Sequence, residues 1–133
     1  MRAYVRFVLV VFAAFELLLG VWLTFCPRAF YDDVPTVDWT PPYSEHLFRD
    51  FGGASLGLGI VLAAAAIRLE RLLTVVALLA YLGFAVPHLV FHLGHLEGGE
   101  TGWSIALAVV LALSVLVPAS ALVAVRNWPS YER

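Results

Sequence analysis

Residues 5–26 read VRFVLVVFAAFELLLGVWLTFC, an apolar run interrupted by Arg6 near its start and by Glu16 in its middle. A membrane-spanning helix needs about 20 predominantly apolar residues, so this run is long enough to cross a bilayer. Arginines before an apolar run also resemble a signal peptide, but this run is longer than a signal core and has no Ala-x-Ala cleavage site. We therefore interpret it as a first membrane span that is retained.

Three further apolar runs follow it along the chain. Hydrophobic residues make up 62% of the sequence and charged residues 14%, which is far from the composition of soluble globular proteins. A length of 133 residues fits a single domain. The sequence therefore predicts one all-α domain over residues 1–133, a four-transmembrane-helix antiparallel bundle with spans at about 5–26, 47–67, 72–94 and 103–125.

Arginine accounts for all eight basic residues, and its placement predicts the orientation of the spans. Six arginines fall before or at the start of span one, between spans two and three, or after span four: Arg2, Arg6, Arg68, Arg71, Arg126 and Arg133. Cytoplasmic loops carry the excess of positive charge, so we expect a multi-pass protein of the bacterial plasma membrane with both termini cytoplasmic. The net charge of −2, with no basic patch, argues against nucleic acid as a partner.

Two connections between spans carry further predictions. The inner turn, residues 68–71, is so short that spans two and three are expected to pack as a tight antiparallel hairpin. The first outer loop, residues 27–44, is long and holds four prolines, which argues against a regular helix there. Its aromatic residues suggest that it lies on the membrane surface or covers the bundle. Ser44 is the expected N-cap of span two.

Ionisable side chains inside the predicted spans are the main pointer to function. Each costs on the order of 2.5–3.5 kcal/mol at the bilayer centre, so such residues usually face the bundle interior and serve a role. They occur in the middle of span one, at the start of span two and at the end of span three: Glu16, Glu45, His46, Arg49, Asp50, His88, His92 and His95.

Two of these pairs have the spacing of metal ligands. His46 and Asp50 are four residues apart on span two, and His88 and His92 are four apart on span three, so each pair shares a helix face. Both pairs lie at the outer end of their span, and Asp50 and His88 are each about 10 Å from it. Nitrogen and oxygen ligands that converge from two helices build metal sites in bundles, and imidazole with carboxylate suits zinc, iron or copper. The sequence therefore predicts a transition-metal site formed by His46, Asp50, His88 and His92; haem is an alternative cofactor.

Four residues are expected to support this site: Glu16, Glu45, Arg49 and His95. Glu16 lies about one turn deeper and is interpreted as a further ligand, as an acceptor that fixes a histidine tautomer, or as the partner of Arg49. His95 is expected to be an interfacial residue. Gly53 and Gly57 continue the stripe of the span-two pair, in a small-xxx-small pattern that lets another helix approach closely.

Three functions stay open from these residues. The metal site would support redox or hydrolytic chemistry on a lipid-soluble substrate, or metal handling. The same residues could instead form a network that specifies helix packing in a non-catalytic accessory subunit, within a homo-oligomer or a larger membrane complex. A proton or substrate pathway is the third alternative.

Two motifs resemble a known group of proteins. The stretch PYSEHLFRDFG at residues 42–52, followed by HLVFHLGH at residues 88–95, resembles small uncharacterised four-span membrane proteins of actinobacteria. The absence of lysine fits the GC-rich genomes of that group. The resemblance implies the four-span architecture and brings no activity with it.

Overall fold

The computed structural model describes residues 1–39, 42–96, 101–126 and 128. Within them the chain is helical, without strands, and four helices are long and apolar enough to cross a membrane. They are α1 (Arg2–Phe25), α3 (Glu45–Arg68), α4 (Arg71–Leu93) and α5 (Thr101–Arg126). The prediction of an all-α fold with four membrane helices is confirmed, and each helix extends one to three residues beyond at least one predicted boundary.

The ends of α3 follow directly from local sequence. Ser44 has an extended backbone, and its hydroxyl accepts a hydrogen bond from the backbone N–H of Leu47 at 3.4 Å, as predicted for an N-cap. At the other end Leu69 adopts a left-handed conformation with φ 48° and donates its N–H to the Ala65 carbonyl. This residue reverses the chain, so that α4 begins two positions later at Arg71.

The loop predicted at residues 27–44 contains a helix that the sequence analysis excluded. Helix α2 (Pro27–Asp33) begins with Pro27 at its first position. Proline is favoured there, because its fixed φ suits a helix and its missing N–H would have no intrahelical acceptor. The prediction of a loop without regular helix is therefore wrong for this segment, which is followed by a single 3₁₀ turn, Val37–Trp39.

The most extensive contact between helices lies between α1 and α3, which are antiparallel, while α4 packs mainly against α5. Glycines allow α1 and α3 to approach closely where they cross. A Cβ atom on Gly20 would lie 2.8 Å from the backbone N of Leu56, and one on Gly52 would lie 2.8 Å from the backbone N of Thr24. The two helices therefore approach with backbone against backbone. The turn between α3 and α4 is as short as predicted, but the main packing partner of α3 is α1.

The predicted small-residue stripe behaves differently. A Cβ atom on Gly53 or Gly57 would meet nothing within 4 Å. The expectation that this stripe receives another helix is wrong within this chain, because the α1 crossing uses Gly52 and Gly59, on the neighbouring face of α3.

The two ends of the bundle are filled differently. Buried aliphatic residues of all four long helices occupy the half that carries the N-terminus, including Leu9, Leu62, Leu78 and Val125. At the opposite end, aromatic rings from the loop before α3 pack against Phe48 of α3. Tyr31 and Tyr43 lie 5.8 and 5.7 Å from Phe48, measured between ring centroids. Helix α2 contacts α1 and α3 but, within the described residues, neither α4 nor α5, so the expectation that the loop covers the bundle is confirmed for the α1–α3 pair only.

Candidate functional site: a polar layer in the bundle centre

Glu16 is the most deeply buried ionisable residue among those that the structure describes. Its side chain lies inside the bundle and only 1% of the residue is exposed. The Ser55 hydroxyl of α3 is its side-chain hydrogen-bond partner. The second carboxyl oxygen, Oε2, is buried without a hydrogen-bond partner.

Helices α4 and α5 bring two more hydroxyls to the same level. Tyr81 is 2% exposed, lies close enough to Glu16 for an electrostatic interaction, and is hydrogen-bonded to the side chain of Ser114. The Ser114 hydroxyl donates to the Leu111 carbonyl at 2.8 Å, so its oxygen is the acceptor for Tyr81. The Tyr81 ring rests edge-on against Phe12 of α1, with 5.0 Å between ring centroids.

We call Glu16, Ser55, Tyr81 and Ser114 the central polar layer. Each of the four membrane helices contributes one member, and every member lies within about three residues, or about 5 Å along the axis, of the midpoint of its helix. The layer therefore lies near the bilayer midplane, where no water is available to hydrogen-bond polar groups. Chemically it offers a carboxyl group and three hydroxyls, which form two hydrogen-bonded pairs between helices, Glu16 with Ser55 and Tyr81 with Ser114.

The structure corrects the pairing proposed for Glu16. Arg49 bonds instead to Glu45, with Nε 2.9 Å from the carboxylate, and it donates from Nη1 to the Thr24 carbonyl at the end of α1. Arg49 thus joins α3 to α1 near the end of the bundle that lies opposite the N-terminus. Glu16 has hydroxyl neighbours, and no cation is paired with it within the described part of the chain.

The four predicted metal ligands form two pairs. His46 Nε2 lies 3.2 Å from the Asp50 carboxylate on the surface of α3, and the two side chains are 89% and 64% exposed. On α4 the His88 and His92 rings are 4.6 Å apart, and His88 also stacks on Phe84 at 5.1 Å. Each predicted pair therefore exists on its helix.

The two pairs do not combine into one ligand set in this structure. Across residues 1–39, 42–96, 101–126 and 128, no three His, Cys, Asp or Glu side chains come close enough together to hold a metal ion. The four-ligand site therefore stays a prediction. His95 is exposed, stacks on Phe91 at 4.2 Å and lies with Nδ1 2.7 Å from that residue's carbonyl oxygen.

Three members of the central polar layer were missed in the sequence analysis, because hydroxyl residues are common in membrane helices and carry no charge to mark them. Their depth was the available signal. Ser55, Tyr81 and Ser114 all fall near the middle of a predicted span, at the level of Glu16. In a four-helix bundle, polar residues of equal depth on different helices are candidates for contact.

Comparison with protein families gives a match. Residues 4–93 match the family described as a domain of unknown function, DUF4345. The chain belongs to the DUF4345 family. The matched segment holds α2, α3, α4 and all of α1 except its first two residues. It includes three members of the central polar layer, Glu16, Ser55 and Tyr81, whereas Ser114 lies beyond it. Neither the curated proteins nor the solved structures give a match.

Proposed function

We propose that this chain is a non-catalytic membrane accessory subunit whose central polar layer specifies how its helices pack. One observation carries the proposal: Glu16 is 1% exposed at the centre of the bundle, and each of the other three membrane helices supplies a hydroxyl at its depth. Such a layer stabilises one arrangement of the four helices relative to the alternatives.

The physical reason lies in the bilayer itself. Lipid tails are as apolar as leucine, so hydrophobic contact does little to choose between helix registers. Interhelical hydrogen bonds contribute about 0.6 kcal/mol each on average, and up to about 1.7 kcal/mol. A helix that slid by one turn would leave the carboxyl group of Glu16 against hydrocarbon, which costs several kcal/mol. The layer thus acts mainly by destabilising incorrect arrangements of the helices.

A pair of variants on α4 tests this role with a matched control. Tyr81→Phe removes a hydroxyl that belongs to the layer, and we expect it to lower the free energy of unfolding in detergent by about 0.6–1.7 kcal/mol. Thr74→Val also removes a buried hydroxyl from α4, but the Oγ1 of Thr74 has no hydrogen-bond partner. That variant should be neutral or stabilising, because no bond is lost. Equal effects of the two variants would contradict the proposal.

Variants of Glu16 separate packing from chemistry. Glu16→Gln keeps a hydrogen-bonding side chain of the same length, and we expect nearly wild-type melting. Glu16→Leu leaves the facing hydroxyl of Ser55 unsatisfied, at a cost of about 1–3 kcal/mol. If Glu16→Gln loses as much stability as Glu16→Leu, the ionised carboxylate itself is required and the packing role fails.

A second candidate function is metal handling or metal-dependent chemistry at the outer end of α4. The contact between the His88 and His92 rings, 4.6 Å apart, favours it, because two imidazoles on one helix face can bind one transition metal. The exposed His46 and Asp50 side chains would have to reorient to complete the site. Elemental analysis of gently purified protein tests it, since His88→Ala or His92→Ala should abolish stoichiometric zinc, iron, copper or haem. Protein without such a metal, whose melting ignores chelator, would exclude this function.

The setting of the subunit is also a proposal. The arginines at one end of the bundle support insertion in the bacterial plasma membrane with both termini cytoplasmic. The motif at residues 42–52 and the lack of lysine support an actinobacterial relationship. Assembly into a homo-oligomer or a larger membrane complex fits the accessory role. Reporter fusions at the C-terminus that are active only after export would contradict the orientation.

A further inference from the structure

A cavity of about 330 Å³ opens at the end of the bundle that carries the N-terminus. Its lining consists of Arg2, Ala3 and Arg6 from the start of α1, Arg68 from the end of α3, and Leu69 from the turn that follows. Three arginines therefore surround one cavity, and none of the described residues that line it carries a carboxylate.

The fold explains why these arginines meet. Arg2 and Arg6 are four residues apart, so they share one face of α1. Because α1 packs antiparallel along α3, the C-terminal end of α3 lies beside them. The left-handed backbone of Leu69 then turns the chain away toward α4 and leaves the space beside Arg68 open.

The placement of the charges on α1 is unfavourable without an anion. Like charges at a spacing of four residues repel each other on a helix, and cations near a helix N-terminus oppose the helix dipole. Arg68 is in the last turn of α3, where the dipole favours a cation, so its position alone indicates little. Arg2 and Arg6 are therefore the informative pair.

Protein groups do not neutralise this cluster within the described residues. The ion pairs there join Arg28 to Asp32, Arg49 to Glu45 and His46 to Asp50, all near the opposite end of the bundle. Arg2 has one aromatic contact, with its guanidinium 5.2 Å from the Trp128 ring centroid. A preference for positive charge on the cytoplasmic side explains the arginines at this end, but it does not explain their convergence on one cavity.

Guanidinium groups bind phosphate through two parallel hydrogen bonds, so the cavity suits a phosphate group. The depth of the cavity in the membrane identifies a lipid headgroup as the source of this phosphate group. With 24 residues, α1 is about 36 Å long, which exceeds the hydrocarbon thickness of about 30 Å. Its first turn therefore lies among the lipid headgroups. Ala3 and Leu69 add an apolar wall against which the first methylene groups of the acyl chains can pack.

We propose that this cavity binds the phosphate of an anionic phospholipid headgroup, held by Arg2, Arg6 and Arg68. Such a lipid would bridge the start of α1 and the end of α3. This site is independent of the central polar layer, which lies near the middle of the helices.

Binding of fluorescent phosphatidylglycerol to the full chain in phosphatidylcholine nanodiscs tests the proposal. Arg71→Gln is the matched control for Arg68→Gln, because both remove one charge beside the same turn and only Arg68 lines the cavity. We expect Arg68→Gln and Arg6→Gln each to weaken lipid binding by at least about fivefold more than Arg71→Gln does. Equal losses for all three variants would overturn the proposal, since a diffuse surface potential would then explain the binding.

Competition with inorganic phosphate, at constant ionic strength, distinguishes the two sources of the phosphate group. Weak displacement of phosphatidylglycerol, only at high phosphate concentration, is the expected result. Displacement at low phosphate concentration would show that the site takes soluble phosphate, which would overturn the lipid assignment. Each variant should keep the wild-type melting temperature in phosphatidylcholine alone. A lower melting temperature in phosphatidylcholine alone for both Arg6→Gln and Arg68→Gln would instead assign the arginines a structural role and overturn the proposal.

Discussion

Gly52 and Gly53 are neighbours on α3 with opposite surroundings, and replacing each with alanine isolates the contribution of the α1–α3 crossing. A Cβ atom on Gly52 would lie 2.8 Å from the backbone N of Thr24 and 2.9 Å from the Cβ of Leu23. A Cβ atom on Gly53 would meet nothing within 4 Å. Chemistry, helix and depth are therefore nearly the same in the two variants, and only the contact differs.

The expected magnitude combines two opposing effects. Alanine is favoured over glycine in a helix by about 1 kcal/mol, and this gain applies to both positions. At Gly52 the new methyl group meets backbone atoms that cannot rotate away, so the helices must separate by about half an ångström, which forfeits about a quarter to a half of the local dispersion attraction. Overpacking of this kind costs about 1–3 kcal/mol. Gly52→Ala should therefore be about 1–3 kcal/mol less stable than Gly53→Ala.

Unfolding of both variants in detergent, followed by the loss of helical signal with temperature or denaturant, provides the comparison. Gly59→Ala repeats the test at a second contact of the same two helices, since its Cβ atom would lie 3.0 Å from the backbone N of Leu17. A Gly52→Ala protein that melts at or above the temperature of Gly53→Ala would refute the close crossing of α1 and α3.

Three further variants probe single contacts of the fold. Arg49→Met removes the hydrogen bond to the Thr24 carbonyl. Because the arginine is half exposed, we expect the free energy of unfolding, measured by chemical denaturation, to fall by at most about 1.5–3 kcal/mol. Tyr4→Phe removes the 2.6 Å hydrogen bond to Ser120 that joins α1 to α5, and an unfolding free energy lower by about 0.5–1.5 kcal/mol is expected in the same assay. Ser44→Ala removes the N-cap of α3, where the 3.4 Å bond is long, so a loss of about 0.5 kcal/mol is expected in thermal melts; a loss above about 2 kcal/mol would contradict a capping role.

The sequence was sufficient to predict the membrane helices because their signal is strong and local. Each span is an apolar run whose length is imposed by the bilayer, and the ends of α3 follow from Ser44 and from the short turn at Leu69. The pattern of prolines was less informative. Pro27 starts α2 because proline is compatible with the first turn of a helix, a position that composition alone does not reveal.

The candidate site was only partly predictable, because it depends on how the helices rotate and pair. The burial of Glu16 followed from its charge within an apolar run. Its neighbours required knowledge of the helix faces, and Gly52 and Gly53 are only one residue apart on the same helix. A rotation of about 100° per residue therefore decides which glycine meets α1 and whether His46 and Asp50 point toward or away from the bundle.

The position of Glu16 in the first helix also sets an order of events during synthesis. Its hydrogen-bond partner Ser55 is 39 residues further along the chain, which at about 5–20 residues per second leaves Glu16 without that partner for about 2–8 s. Ser114 is made later still. Until α3 is made, the carboxyl group at the centre of α1 therefore lacks the hydroxyl that it bonds to in the folded chain. The central polar layer can be completed only after α5 has been synthesised, because its last member lies on that helix.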